Sequence, residues 1–335
     1  MELRILIAEL GGKEARELLK KDPRFEIATA KDISETREKA EKRRPNLICL
    51  DYATQQSDYA AHLRQLALPS IPTMIFSPLT KNAVKTALAA LAAGAVDFAI
   101  KPRVCGAFTE KELIDKVYAA TKPKVASKSA FSRPKPLVIA PQSESSKKII
   151  AIGASTGGTE ALKEVLTRVP KNSPGIVIVQ HMPSSFTGPF AQRLDSLCEI
   201  NVREAKNGDE ALVNQALIAP GDRHMILRKS GLRYYVEIID GDKVSGHRPS
   251  VDALFDSVAL CAGANAVGVI LTGMGGDGAR GLLKMRKAGA KTVAQDEKTC
   301  VVFGMPKVAI ELGGVDKIAP LDMVAFTALQ FAAEI

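Results

Sequence analysis

"IIAIGASTGGTEAL", residues 149–162, is the stretch on which the fold of the chain turns. An apolar run closes on Gly153 and Ala154, Ser155 follows, Gly157 and Gly158 come next, and a helical pattern runs on through "GTEALKEVLTRV". Strand, glycine-rich turn and helix in that order make the repeating unit of a parallel sheet, because parallel neighbours need a crossover between them. The turn also carries "GASTG", a GxSxG pattern. Its glycines let the backbone bend sharply and project the serine Oγ from the end of the sheet. On these five residues alone Ser155 reads three ways: a nucleophile, part of a phosphate cradle at a helix N-terminus, or a helix N-cap. "GASTGG" lacks the central glycine of a dinucleotide GxGxxG, and the GK[ST] of a P-loop is absent.

Outward from this turn the alternation continues. Residues 148–335 offer further strands at "GIVIVQ", "INVREA", "QALIAP", "HMILRK", "YYVEIID", "AVGVILTG", "KTVAQD" and "KIAP". Helical patterns lie at "FTGPFAQRLDSL", "SVDALFDSVALCA", "GARGLLKMRKAG" and "MVAFTALQFAAE". The pieces between 200 and 240 are close together with no helical pattern between them, which predicts an antiparallel insertion in an otherwise parallel sheet. Residues 1–120 run through five strands, from "LRILIAE" to "VDFAIKP", alternating with five helical patterns. That predicts a second doubly wound α/β domain. Ligands on such sheets sit at the carboxyl ends of strands, where Glu9, Asp51, Ser77 and Lys101 fall.

Between the two lies a stretch of another kind. Residues 121–148 hold seven basic residues against one acid, Glu144, with four prolines and six serines. This composition cannot bury enough apolar surface to fold, so residues 121–147 read as a linker. The linker carries most of the net charge of +9, and aromatics are only 5% of the chain. A nucleic-acid groove is therefore not indicated. No apolar run approaches the roughly 18 residues that span a bilayer. The five cysteines are widely spaced, without a CxxC pair, which fits a reducing cytoplasm rather than disulfides or a zinc cluster.

A serine nucleophile needs a base, and the sequence holds four histidines. His62 lies in a helical pattern of the first domain, His224 opens a short strand, and His247 sits in a loop before a helix. His181 follows directly on "GIVIVQ", at the carboxyl end of a parallel strand and on the same edge as Ser155. By position it is the best base. "VILTGMGGDGARG" carries another strand into a glycine-rich turn whose only acid is Asp277. Its plain reading is a helix N-cap. Three strand ends offering Ser, His and Asp together point to a triad.

"AIGASTGG", "QHMPSSFTGPFAQRLD", "APGDRHMIL", "HRPSVDALF", "ILTGMGGDGARG" and "QDEKTCVVFGMPKVAIELGG" resemble successive signature blocks of the chemotaxis protein-glutamate methylesterases. The resemblance covers nearly all of residues 148–335. It implies a flavodoxin-like receiver at 1–120, the linker, and a mainly parallel α/β methylesterase domain with a short antiparallel insertion at 148–335. It further implies hydrolysis of glutamate γ-methyl esters, with deamidation of glutamines, on the cytoplasmic helices of methyl-accepting chemoreceptors, giving sensory adaptation. The triad falls on Ser155, His181 and Asp277, and Met274 supplies an oxyanion N–H, joined in the oxyanion and substrate set by Thr156 and Gly157 after the serine. Catalysis needs no cofactor. A histidine kinase is the implied partner of the receiver, nucleic acid and membrane insertion are not expected, and the implied location is cytoplasmic. The rival readings are a signalling scaffold or pseudo-response regulator that acts by docking, and a nucleotide-binding switch. An intact triad argues against the first, and the missing P-loop lysine and GxGxxG against the second.

The first domain departs from the receiver pattern. "PNLICLDY" places Asp51 at the phosphorylation position, Ser77 matches the hydroxyl, and "KP" at Lys101 and Pro102 matches the phosphoryl-sensing lysine. Receivers also carry two adjacent acids after the first strand to bind Mg²⁺; here Glu9 is followed by Leu10. The loop after Asp51, "YATQQSDYA", is rewritten as well. Mg²⁺ demands near-octahedral oxygen ligands. The expectation is a pseudo-receiver that keeps the fold without the metal-dependent switch.

Overall fold

Apolar strands alternate with helices in two separate units, Met1–Lys124 and Val125–Ile335. The structure is a computed structural model that describes residues 2–52, 58–68, 70–77, 81–101, 110–121 and 147–335. Most of the expected linker, together with Pro102 and the centre of the loop after Asp51, lies outside the described residues.

The first unit runs β1 (Leu3–Leu10), α1 (Glu14–Leu19), β2 (Phe25–Ala30), α2 (Ile33–Arg43), β3 (Leu47–Tyr52), α3 (Tyr59–Leu66), β4 (Thr73–Ser77), α4 (Lys81–Ala92), β5 (Asp97–Ile100) and α5 (Glu110–Ala120). Its sheet has the order β2-β1-β3-β4-β5, with every pairing parallel. All of β3 is buried, as a strand covered by helices on both faces must be. The order reverses between β1 and β3, and the register sets Glu9 beside Asp51 at that switch point.

The second unit contains β6 (Ile149–Ala154), α6 (Gly158–Leu166), β7 (Gly175–Gln180), α7 (Ser184–Asp195), β8 (Asn201–Glu204), β9 (Gln215–Ile218), β10 (His224–Ser230) and β11 (Arg233–Ile239). It continues with α8 (Val251–Cys261), β12 (Ala266–Ile270), α9 (Ala279–Lys287), β13 (Lys291–Gln295), α10 (Met305–Glu311), β14 (Lys317–Ala319) and α11 (Leu321–Glu334). Seven strands form one parallel sheet in the order β14-β13-β12-β6-β7-β9-β8. The strand order reverses at β6, with β7 on one side and β12 on the other. The crevice at their carboxyl ends is where an open α/β sheet takes its ligand.

The segment 200–240 differs from the sequence expectation in one respect. Only β10 and β11 are antiparallel, and they form a separate two-stranded ribbon; β8 and β9 pair in parallel within the main sheet. The return from β8 to β9 needs no helix because residues 205–214 run as a turn-containing loop pinned to β11. There the Gly208 and Ala211 N–H groups donate to the Val236 and Tyr234 carbonyls. The helix α10 is absent from the sequence reading. It has seven residues, with Pro306 in its first turn, too short for a helical period to emerge.

Candidate active site

Ser155 stands one residue beyond β6, His181 one residue beyond β7, and Asp277 in the turn between β12 and α9. These are three adjacent strands, so the three side chains share one edge of the sheet. The ladder carries on past the strands and fixes the turns. The Ser155 N–H donates to the Thr272 carbonyl at 3.0 Å, and the His181 N–H to the Ala154 carbonyl at 3.1 Å. Gln180 donates its amide to the Ser155 carbonyl at 2.9 Å. Ser155 is half-buried, and Gly157 takes φ +77°, the left-handed turn that opens α6.

The His181 ring is held from two directions. Nε2 lies 2.8 Å from Asp277 Oδ2. The His247 ring stacks on it, with centroids 3.8 Å apart and planes 13° from parallel. Nδ1 is buried and has no hydrogen-bond partner among the described residues. The structure therefore brings His181 and Asp277 together, while no hydrogen bond joins the Ser155 and His181 side chains. Such bonds are often long in ligand-free sites and tighten with substrate.

Asp277 is 2% exposed yet fully satisfied. Its Oδ1 accepts from Ser250 Oγ at 2.8 Å and the Asp252 N–H at 3.0 Å, and its Oδ2 accepts from the Val251 N–H at 2.7 Å as well as facing His181. The carboxylate thus sits on the N-terminus of α8, where free N–H groups and the helix dipole favour negative charge. Burial pushes its pKa up, but the His181 hydrogen bond and the α8 N–H groups outweigh burial and hold it below the ordinary carboxylate value. Asp277 is accordingly held in its ionised form.

What brings α8 so close is the absence of two Cβ atoms. A methyl at Gly153 would lie 2.2 Å, and one at Gly278 2.4 Å, from Val251 Cγ1. Gly278 also has φ +88°. Gly278→Ala is therefore expected to lower stability by at least about 2 kcal/mol, from left-handed backbone strain plus overpacking. It should lower activity further by levering Val251 off Asp277. Thermal melts beside an activity assay check this; an unchanged midpoint would mean that Val251 has room to move.

Around the serine the N–H groups of Thr156, Gly157 and Met274 donate to no acceptor among the described residues. Thr272 braces this turn: its Oγ1 donates to the Thr156 carbonyl at 3.0 Å and accepts from the Val302 N–H at 2.9 Å. The three residues assigned to the oxyanion and substrate set thus present unspent donors. By sequence His247 is a loop residue and Ser250 carries no site signal; only the folded chain brings them to His181 and Asp277.

In the first unit Asp51 is wholly buried. Lys101 Nζ lies 2.7 Å from its Oδ1 and 2.8 Å from Glu14 Oε2, and the Ala15 N–H donates to Asp51 Oδ2 at 2.8 Å. Glu9 is paired with Arg16 at 3.2 Å. A Cβ on Gly12 would meet Asp51 Oδ1 at 2.3 Å, so the loop after β1 lies directly on the carboxylate. Ser77 Oγ is 3.2 Å from the Tyr59 hydroxyl, and Tyr59 stacks on Tyr52. His62 Nδ1 lies 2.9 Å from the Tyr52 hydroxyl, in the same cluster.

Residues 150–327 match the family model described as CheB methylesterase. The chain is similar to a protein-glutamate methylesterase/protein-glutamine glutaminase of Sulfurimonas denitrificans, 45% identical over 97% of both chains. A relative of the same name, numbered 2, from Syntrophus aciditrophicus is 49% identical over 92% of both. Among solved structures, the Thermotoga maritima CheB methylesterase catalytic domain matches 55% of this chain and 97% of its own, with a TM-score of 0.53 and 41% identity. Among the described residues no helix is long and apolar enough to cross a membrane.

Proposed function

The chain belongs to the CheB methylesterase family, and from that premise we propose that it hydrolyses glutamate γ-methyl esters on chemoreceptor cytoplasmic helices, with Ser155, His181 and Asp277 as its triad. The observation that carries the assignment is the one-sided bonding of the His181 ring. With its Nε2–H committed to Asp277, the neutral ring keeps its lone pair on Nδ1, which is buried and unspent. That is the group a serine nucleophile requires.

Nδ1 takes the Oγ proton as Ser155 attacks the ester carbonyl, and Asp277 stabilises the imidazolium without being protonated. The carbonyl oxygen becomes an oxyanion, for which the N–H groups of Thr156, Gly157 and Met274 are available. The intermediate collapses as the bond to the methoxy oxygen breaks, and His181 returns the proton so that methanol leaves. Water then attacks the acyl-serine with the same proton transfers and frees the glutamate. The chain's own groups and water handle every proton and charge, so we take the hydrolysis to need no metal or cofactor. The same acyl chemistry on a glutamine side chain would expel ammonia, the glutaminase half of the relatives' names. Methanol release from methylated receptor membranes tests the substrate class. The wild-type chain should release methanol and leave free carboxylates, and release no faster than in buffer would remove the reading.

For the first unit the fitting reading is a pseudo-receiver. Mg²⁺ beside Asp51 would need several carboxylate or water oxygens in near-octahedral array. Here Leu10 stands at one acidic position, Arg16 neutralises Glu9, and Lys101 and Gly12 close over Asp51. Among the described residues no group of three or more carboxylate, His or Cys side chains could hold a metal. The donors do not fit the ion. Without a cation to neutralise approaching charges, acetyl phosphate should label Asp51 no faster than the Asp51→Ala control, with or without Mg²⁺. Rapid Mg²⁺-dependent labelling, lost in Asp51→Ala, would restore an ordinary phosphorylation switch.

A further inference from the structure

The ribbon β10–β11 takes no part in the main sheet, yet it reaches the triad through one buried side chain. His224 opens β10 and is 3% exposed. Its Nε2 lies 2.9 Å from the Asp242 carbonyl, just beyond β11, and its Nδ1 lies 3.2 Å from the Ser250 backbone N. A carbonyl only accepts and a backbone N–H only donates. The ring must therefore carry its proton on Nε2 and accept at Nδ1, and both nitrogens are spent. Ser250 is the N-cap of α8, with its Oγ directed at Asp277. The chain of contacts runs from Asp242 through His224 and Ser250 to Asp277, and from there to His181.

We propose that His224 is a positioning residue for the ester hydrolysis: by accepting the Ser250 N–H it sets the first turn of α8, which in turn holds Asp277 at His181. Two further observations make α8 dependent on the ribbon. The Leu227 N–H of β10 donates to Ser257 Oγ at 2.8 Å, and Cys261 Sγ approaches the Leu227 carbonyl at 3.3 Å. Those contacts hold the middle and end of α8, and within the ribbon it is His224 that reaches its start, where Ser245 Oγ and the Gly281 N–H also bond the Asp252 carboxylate. Three of the four contacts to Asp277 come from residues 250–252. A shift of that turn would release the acid, and the imidazole with it, although the hydrogen bonds of His224 go to Asp242 and Ser250 and not to the triad. The ribbon thereby acquires a role: it clamps the helix that carries the donors.

The inference rests on the triad reading, and its test separates the two. In the full-length chain, His224→Asn keeps an acceptor where Nδ1 stood but loses the donor to Asp242. His224→Gln keeps a donor near Nε2 and loses the acceptor for Ser250. Both are similar in polarity, so they share the general cost of altering a buried site. Two readouts apply: kcat and KM for methanol release, and the low-field proton resonance of the His181 Nε2–H···Asp277 bond, which needs no turnover. His224→Asn should stay within about threefold of wild type, whereas His224→Gln should lose about tenfold or more in kcat at unchanged KM, since ångström-scale misplacement costs up to ~10²-fold. The proton resonance should persist in His224→Asn and move or vanish in His224→Gln. Equal kcat for the two variants, or an unshifted resonance in His224→Gln, overturns the proposal. Ser155→Ala should keep the resonance, so a failure of the nucleophile assignment would show in that variant's turnover and leave the comparison of the two His224 variants intact.

Discussion

Ser155→Ala is expected to lower methanol release by about 10⁶-fold, because removing the nucleophile of a triad costs nearly as much as removing all its members. What remains would be the contribution of the oxyanion donors and of binding. The fold should be unaffected. The serine is half-buried, and its backbone bonds to Thr272 and Gln180 do not use the side chain, so the stability change should stay within about 0.5 kcal/mol. His181→Gln should be of comparable severity, since the triad acts as a unit. Methanol release and a thermal melt on the same preparations check both. If His247→Gln were as damaging as Ser155→Ala and His181→Gln were mild, the stacked ring rather than His181 would be the base.

Asp277→Asn is the second large effect, expected at about 10⁴-fold in kcat. The neutral amide can donate as well as accept, so it no longer fixes the proton on Nε2 and no longer stabilises the imidazolium. A second cost follows from where the carboxylate sits. Its charge meets the N-terminus of α8, and an uncharged amide there forfeits about 1–2 kcal/mol of helix-end and charged hydrogen-bond stabilisation. The pH dependence has a definite sign. The folded-state pKa of Asp277 lies below its unfolded value, so its stabilisation is fully present above the ordinary carboxylate range. It is lost as pH falls through the lowered folded-state value. Acid titration of stability should therefore be shallower in Asp277→Asn than in wild type; parallel curves would show that the carboxylate contributes no net charge effect.

Much of this architecture is legible in the primary structure because the signals are local. Ser155, His181 and Asp277 each follow an apolar run and precede a helical pattern, so each announces the carboxyl end of a strand by itself. The supports are not local. Ser250 lies 27 residues from Asp277 and 26 from His224, and no period or spacing links them. The wedge of Val251 against Gly153 and Gly278 is likewise invisible until three elements meet. The direction of β8 and β9 is hidden for a related reason: lack of a helix suggests an antiparallel insertion, but residues 205–214 return as a loop pinned to a ribbon that forms later in the chain. In the first unit Leu10 was readable as a missing acid. The ion pairing around it was not, because Lys101 meets Glu14 across 87 residues of chain.

The most direct measurement of the central claim is the mass of the Ser155 peptide in an acid-quenched reaction of the full-length chain with a methyl-esterified receptor-helix peptide. If Ser155 Oγ displaces methanol, a fraction of that peptide should be heavier by the mass of the substrate less methanol. The increment should map to Ser155 and be absent from Ser155→Ala. Sustained methanol release with the modification on another residue, or Ser155→Ala turning over at the wild-type rate with none, would contradict it.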